Sequence, residues 1–235
     1  MMEPIEQLAF VLHSRPYRDK QQIVELLTEN EGRVSAIVYS GKTNKSNKKG
    51  FIQLFSPLNV VLKGHSSLKN LSRIEVSEKS YILKGDHLYS GFYLNELLVR
   101  LLGESIACPS LFDHYRLSLS ALSNQQPIEP VLRRFELELL DELGLAIDFS
   151  PVFEQNSPSF YYIAKQGFIT VEEKHNLPLY NRYHLQAIAE NNLNDINVLH
   201  CNKILIRQVI NDLLEGKPLH SRKLFKKNSI KSELK

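Results

Sequence analysis

Tryptophan is absent from the 235 residues, and cysteine and methionine occur only twice each. Cys108 and Cys201 lie far apart and lack C-x-x-C spacing, which argues against a disulfide framework and predicts reduced thiols. No apolar run approaches the ~20 residues that span a bilayer. The first residues, Met1–Pro4, are acidic and are not followed by a signal-peptide apolar block. These absences predict a cytoplasmic protein that does not enter a membrane.

Motifs for catalysis are also missing. The chain contains neither G-x-S-x-G nor H-E-x-x-H, and its histidines show no metal-ligand spacing. Gly41-Lys42-Thr43 looks like the end of a P-loop, but Ala36 stands where that motif needs glycine, and no helix pattern follows. We therefore predict no enzymatic activity, no cofactor and no bound metal.

Positive charge is concentrated in two segments, although the net charge is only +3. The segment 41–50 has no acidic or apolar residue and carries Lys42, Lys45, Lys48 and Lys49. The final stretch, 217–235, is also rich in lysine and arginine, so the rest of the chain is slightly acidic. A cationic loop between two strands suits a polyanion such as DNA or RNA, although a solvated hairpin connection has the same composition.

The first part of the chain reads as short strands separated by Gly-, Pro- and Asn-containing turns. The predicted strands are Gln7–Ser14, Gln22–Thr28, Arg33–Tyr39, Phe51–Leu62 and Leu68–Leu83. We expect Arg15–Arg18 to break the first of them. Five short strands in so short a segment predict a small closed barrel, either a five-stranded OB-fold or an SH3-like barrel.

Apolar residues then recur at helical spacing. The first predicted helix has Asp86 as its N-cap. The second spans Ser110–Leu122 and starts with a Ser110/Asp113 capping box, and the third spans Pro130–Leu143. Farther along, the pattern predicts a hairpin of Phe160–Ala164 with Phe168–Val171, then helices Arg182–Glu190, Asn202–Glu215 and Ser221–Lys227. The fold class is therefore α+β with several domains: an N-terminal OB-fold barrel (1–82), a central helical domain (83–150) and a small C-terminal hairpin-plus-helix region (151–235).

Blocks spread over nearly the whole chain resemble the RecO family of bacterial recombination mediators. They follow the family's order and are Phe10–Tyr17, Leu26–Glu29, Gly32–Val34, Gly41–Gly50, Leu54–Leu58, Tyr89–Leu98, Leu132–Leu137 with Leu143–Gly144, and Gly216–Phe225. Each block is only moderately specific, but together in this order they are strong support for the resemblance.

The resemblance implies a DNA repair and recombination mediator without bond chemistry, associated with the nucleoid. Such proteins bind single- and double-stranded DNA, anneal complementary strands, and engage the C-terminal tail of single-strand-binding protein. They act with RecR, and in many bacteria RecF, to load RecA. Many members carry four zinc-binding cysteines in the region that corresponds to 156–184, where this chain has none. Its hairpin is therefore expected to rely on apolar contacts, as in the zinc-free proteobacterial branch.

The expected DNA contacts lie on loops that border the β2–β3 face of an OB-fold. Phosphates would be bound by Arg15, Arg18, Lys20, Arg33, Lys42, Lys45, Lys48 and Lys49, and Tyr17 would stack on an unpaired base. The competing interpretation for Tyr17 is a tyrosine packed on the edge of the barrel. For Arg33 it is an ordinary surface residue of a strand.

By the same resemblance, Arg133 and Arg134 would bind the acidic, phenylalanine-terminated tail of single-strand-binding protein. The competing interpretation is an Arg134–Glu138 ion pair on the helix surface. Two other function classes remain open at this point: an OB-fold RNA-binding or ribosome-associated module, and a nuclease, for which no carboxylate constellation is found.

Overall fold

The computed structural model describes residues 6–39, 52–64, 66–171 and 176–225. Its N-terminal strands are β1 Glu6–Arg18, β2 Gln21–Thr28, β3 Gly32–Tyr39, β4 Leu58–Lys63 and β5 Leu68–Val76. They form a closed barrel in the order β1-β2-β3-β5-β4, with β3 and β5 parallel and the other pairs antiparallel. This five-stranded order is that of an OB-fold, which confirms the first of the two predicted barrels.

The barrel is filled by alternate residues of each strand. Val24 and Leu26 of β2 and Val34, Ala36 and Val38 of β3 belong to one buried cluster. Because side chains alternate between the two faces of a strand, the intervening residues of β2 and β3 face outward. This alternation decides which residues are available to a ligand.

Strand β1 is longer than the sequence pattern indicated. The predicted break after Ser14 is wrong, because pairing with β2 continues through Pro16↔Gln22 to Arg18↔Gln21. The register shifts between Pro16 and Arg18. A strand tolerates proline where the ladder is irregular, so the bulge allows β1 to extend past the proline.

Two helices, α1 Gly85–Leu101 and α2 Pro109–Ser123, pack with the barrel. The ring of Phe10 in β1 lies 5.5 Å from that of Phe112 and 5.2 Å from that of Tyr115. The Asn95 side chain donates to the Leu12 carbonyl at 2.9 Å and accepts from the Tyr115 hydroxyl at 2.6 Å. Burial raises the pKa of Tyr115 far above its usual value. These contacts cover one part of the outer barrel surface with helix.

Both helix starts differ from the predicted ones. The N-caps are Lys84 for α1 and Cys108 for α2, neither of which forms a side-chain capping bond, so Asp86 lies inside the first turn and the Ser110/Asp113 box is not used as a cap. Pro109 at the start of α2 explains the second difference, since proline favours the first helical position.

Residues 219–225 return to α1 and are held there by Glu96. Its carboxylate accepts from the backbone N–H groups of His220 and Ser221, each at 2.8 Å, and from the Ser221 hydroxyl at 2.6 Å. Burial alone would raise the pKa of Glu96, but these hydrogen bonds outweigh it and the pKa is lowered. Leu219, which is buried, and the Phe225 ring, 5.8 Å from that of Tyr89, complete the attachment.

The remaining elements form a second compact unit. They are α3 Ile128–Glu142, α4 Ser150–Glu154, β6 Ser159–Ile163, β7 Gly167–Thr170, β8 Leu179–Asn181, α5 Arg182–Ala189 and α6 Ile196–Leu213. The predicted hairpin is confirmed as β6–β7, whereas α4 and β8 were not predicted. Helix α6 begins before the predicted Asn202, because the Asp195 side chain accepts from the Asn197 N–H at 2.6 Å and caps it.

The hairpin is held by aromatic contacts around Phe168. The Phe168 ring lies 5.3 Å from Phe149, 5.2 Å from Tyr162 and 6.4 Å from Phe160. Such ring pairs stabilise beyond their buried area. The expected reliance of the hairpin on apolar contacts is consistent with this cluster.

Residue contacts divide the chain into two compact units. One unit comprises residues 1–126 and 219–235, and the other comprises 127–218. The helices α1 and α2 therefore group with the barrel, and α3 groups with the hairpin and the later helices. No helix among the described residues is long and apolar enough to cross a membrane.

Gly32, at the start of β3, offers a sharp test of this packing. It has φ +66°, and an added Cβ would come within 1.8 Å of the Ile106 carbonyl oxygen. Gly32→Ala should therefore lower the free energy of unfolding by about 3 kcal/mol or more. Gly144 is the matched control, because it has φ +67° and open space around it. Gly144→Ala should cost only the left-handed strain, about 1–2 kcal/mol. Equal losses in urea denaturation would contradict this packing.

Candidate nucleic-acid interface

The end of β1 projects a series of exposed side chains. Every residue from His13 to Arg18 is exposed. Tyr17 is 42% exposed, and the guanidinium carbon of Arg18 lies 5.1 Å from the centre of its ring. Lys20 follows in the turn that leads into β2. The sequence-predicted residues of this region therefore lie together, most of them on the strand and not in the turn.

Strand register brings a second exposed aromatic residue to the same place. Two lateral rows cross the first three strands, namely Arg15–Ile23–Ile37 and Arg18–Gln21–Tyr39. Val24 and Val38, which alternate with them, lie in the barrel core. Both rows therefore lie on the outer face of the barrel. Ile23, in the middle of the first row, is nevertheless only 5% exposed. The surface formed by Arg15, Tyr17, Arg18, Lys20 and Tyr39 is the basic end of the barrel.

The cations of the basic end are available to a ligand. None of the described residues forms an ion pair with Arg15, Arg18 or Lys20, and Asp19 is the one acid in the turn. Exposed cations of one sign create a positive potential that attracts polyanions. Lys42, Lys45, Lys48 and Lys49 follow Tyr39 in the chain but lie outside the described residues.

Arg33 is engaged within the protein. Its side chain is only 14% exposed and pairs with Glu25 at 2.9 Å and Glu104 at 3.2 Å. Its Nε also donates to the Leu102 carbonyl at 2.8 Å. These contacts attach β3 to the segment after α1 and leave little of the guanidinium for a phosphate. The expected DNA contact of Arg33 therefore does not fit this structure.

Arg133 is likewise inside the second unit. It is 3% exposed, and its guanidinium lies 2.9 Å from the carboxylate of Glu136, which is fully buried. Glu129 lies 4.0 Å away, one turn earlier. This burial does not suit the expected partner contact of Arg133. Of the two predicted partner-binding arginines, Arg134 is the exposed one.

Arg134 lines a cavity of about 290 Å³ in the second unit. Its apolar wall includes Leu137, Ile147, Phe149 and Ile188, and its rim also carries Glu138 and Asp141. The cavity is of the size that holds one large side chain. Its charge is mixed, because one guanidinium stands beside two carboxylates.

A larger cavity, of about 620 Å³, lies in the barrel unit but differs in chemistry from the basic end. Its lining is mainly apolar, with Leu12, Leu54, Phe92 and Val99 among its residues. The amide of Asn95, also on its wall, is already hydrogen-bonded within the protein. The lining of this cavity therefore differs in chemistry from the exposed cations of the basic end.

Tyr39 is the residue of this site that the sequence argument missed. A signal was present, since Ser35, Ile37 and Tyr39 alternate with the apolar residues of β3. That pattern placed Tyr39 on the outward face, but not next to Arg18, which depends on the pairing of three strands. In the described residues no cluster of three or more potential metal ligands occurs.

The barrel order defines an OB-fold protein that also carries a helical unit, and exposed cations and tyrosines lie at one end of its barrel. The family model for the recombination protein O N terminal matches residues 2–79, and that for the C terminal matches residues 83–222.

Curated relatives are similar in sequence to this chain over nearly their full length. The DNA repair protein RecO of Coxiella burnetii is 41% identical over 222 residues, which cover 92% of this chain and 96% of that protein. The corresponding protein of Hahella chejuensis is 40% identical over 226 residues, 94% of each chain. That of Idiomarina loihiensis is 36% identical over 227 residues, 94% of this chain and 97% of its own. The chain belongs to the RecO family of DNA repair proteins.

Replacement of Arg133 should affect stability first. Arg133→Met removes the cation nearest to the buried Glu136 carboxylate and should lower the free energy of unfolding by about 3–5 kcal/mol. Adding Glu136→Leu should restore most of that loss, because the uncompensated charge is then gone. Arg134→Met, on the exposed neighbour, should change stability by no more than about 0.5 kcal/mol. Similar effects of Arg133→Met and Arg134→Met in urea denaturation would argue against the buried pair.

Proposed function

We propose that this protein is a non-enzymatic recombination mediator. It binds single- and double-stranded DNA, anneals complementary strands, and helps to load a recombinase of the RecA type on strands coated by single-strand-binding protein. RecR, with RecF in bacteria that have it, is the proposed partner protein in that step. The observation that carries the DNA part is the basic end of the barrel, where exposed cations have no described acidic partner.

Phosphate contact explains binding without sequence preference. Each arginine or lysine that neutralises a phosphate releases a condensed counterion, which gives affinity that falls with salt. Contacts of this kind position a strand but do not read its bases. Arg15, Arg18 and Lys20 are suited to this role because they are exposed on adjoining positions of one strand and its turn.

Annealing follows from the same electrostatics. Two complementary strands repel each other through their phosphates, and a protein that neutralises both lowers this barrier to pairing. Weak contacts to many phosphates also let strands slide and exchange, whereas tight readout of bases would hinder pairing. No bond is made or broken, so the proposed activity requires no catalytic group.

The barrel cations should control both binding and annealing. The triple variant Arg15→Gln, Arg18→Gln, Lys20→Gln should slow annealing and reduce the salt slope of single-strand affinity by about 2, near 0.7 for each lost phosphate contact. The quadruple variant Lys42→Gln, Lys45→Gln, Lys48→Gln, Lys49→Gln tests the loop in the same way. Both are measured by annealing of fluorescent complementary strands across a salt series.

The control removes as many positive charges elsewhere. The control variant is Lys79→Gln, Lys165→Gln, Arg207→Gln. It removes three exposed cations and therefore lowers the net charge by the same amount as the barrel triple variant. It should anneal DNA nearly as the wild type does. Equal effects of control and barrel triple would show that only net charge matters. If the wild type itself fails to accelerate annealing and prefers RNA, the RNA-binding alternative is favoured.

The cavity beside Arg134 is the proposed site for the tail of single-strand-binding protein. A terminal phenylalanine side chain fits an apolar cavity of this size, and a guanidinium on the rim can pair with the terminal carboxylate. The carboxylates of Glu138 and Asp141 oppose the acidic part of such a tail. The proposal therefore depends on Arg134 and on the apolar wall together.

Arg134→Ala should weaken binding of an acidic peptide that ends in phenylalanine by about tenfold, the effect of losing one charge-assisted contact. Arg207→Ala is the control, because it removes an exposed arginine from α6 of the same unit. Fluorescence anisotropy of a labelled peptide measures both. Unchanged peptide affinity in Arg134→Ala would remove this cavity from the proposal and leave the DNA part intact.

A further inference from the structure

Two tyrosines at the basic end expose their rings to solvent. Tyr39 is 52% exposed and Tyr17 is 42% exposed, whereas Tyr93, Tyr115, Tyr161 and Tyr180 are buried in their units. No described residue is recorded in a hydrogen bond with either hydroxyl group. Single exposed apolar residues are common in folded proteins, so the informative feature is that these two rings lie together at a cationic surface.

The strand register determines how these rings are spaced. Tyr39 pairs with Gln21, and Gln21 pairs with Arg18, so Tyr39 lies two strands away from Arg18. Neighbouring strands are about 4.8 Å apart, which makes this separation about 10 Å. The Arg18 guanidinium in turn covers the Tyr17 ring at 5.1 Å. Tyr39 and the Arg18–Tyr17 pair therefore lie at the same end of the barrel.

We propose that Tyr39, together with Tyr17, stacks on unpaired bases and makes the basic end selective for single-stranded DNA. Aromatic rings accept any base, because every base has a π-face. In a duplex the bases are already stacked and paired, so only an unpaired nucleotide can use the rings. Arg15, Arg18 and Lys20 contact phosphates of either form. This inference rests on the proposed DNA-binding function and adds the group that distinguishes the two forms.

The test compares three ligands of equal length: oligo-thymidylate, an abasic oligodeoxynucleotide and a duplex. Tyr39→Ala should weaken thymidylate binding by about tenfold and leave its salt slope unchanged, because stacking neutralises no phosphate. Affinity for the abasic strand and for the duplex should stay at the wild-type value. Tyr39→Phe keeps the ring and should bind as the wild type does.

Two further variants guard against other causes. Tyr39→Leu keeps apolar bulk without an aromatic face, so it should resemble Tyr39→Ala even if alanine disturbs the strand. Tyr183→Ala removes a ring that is 67% exposed in the second unit and should change nothing. Because the chain has ten tyrosines and no tryptophan, the change in tyrosine fluorescence on binding reports on stacking when the wild type is compared with Tyr39→Leu.

Thymidylate affinity that is unchanged in Tyr39→Ala, or reduced equally for the abasic strand, would overturn the stacking role. The proposed function would then still stand if the triple Arg15, Arg18, Lys20 variant lowers affinity and salt slope. If the triple variant also binds DNA as the wild type does, the basic end is not a DNA site and the stacking proposal fails with it. The DNA part of the proposed function then depends on the result for the Lys42, Lys45, Lys48, Lys49 variant.

Discussion

Closure of the five-stranded barrel is the constraint on which the rest of the structure depends. In a closed barrel, one face of each strand packs into an apolar interior, which here includes Val24, Ala36 and Val38. Because side chains alternate along a strand, the residues between them point to the outside of the barrel. Part of this outer surface is covered, as the contacts of Phe10 with Phe112 and Tyr115 show. The projecting end of β1 with the adjoining ends of β2 and β3 keeps its polar and aromatic side chains in solvent.

The chemistry of that exposed end suits a protein that handles DNA strands without holding one sequence. In the proposed function, the exposed cations would give affinity that depends on charge, and the exposed rings would add a contact that any unpaired base can make. By contrast, the arginines with carboxylate partners serve the fold. Arg33 ties β3 to the segment after α1, and Arg133 neutralises a buried glutamate in the second unit. Exposed arginines without a carboxylate partner are the ones proposed to bind DNA, and buried arginines paired with a carboxylate stabilise the fold.

Local pattern predicted much of the architecture but little of the side-chain pairing. Strand alternation and turn residues indicated the barrel, and the hairpin around Gly167 was also predicted. Whether the barrel was an OB-fold depended on which strands pair, and the parallel pairing of β3 with β5 is not visible in local sequence. The burial of Arg33 depends on Leu102 and Glu104, which lie about seventy residues away in the chain. A bulge likewise let β1 continue past Pro16, against its turn-like composition.

Amide hydrogen exchange, measured with and without a short single-stranded oligonucleotide, tests the central claim most directly. Backbone amides of the basic end belong to a strand ladder whose opening a bound DNA strand would suppress. The account predicts slower exchange in residues 14–23 and 37–39 on binding, with residues 127–218 unchanged. Protection confined to residues 127–218, with none at the end of β1, would contradict it.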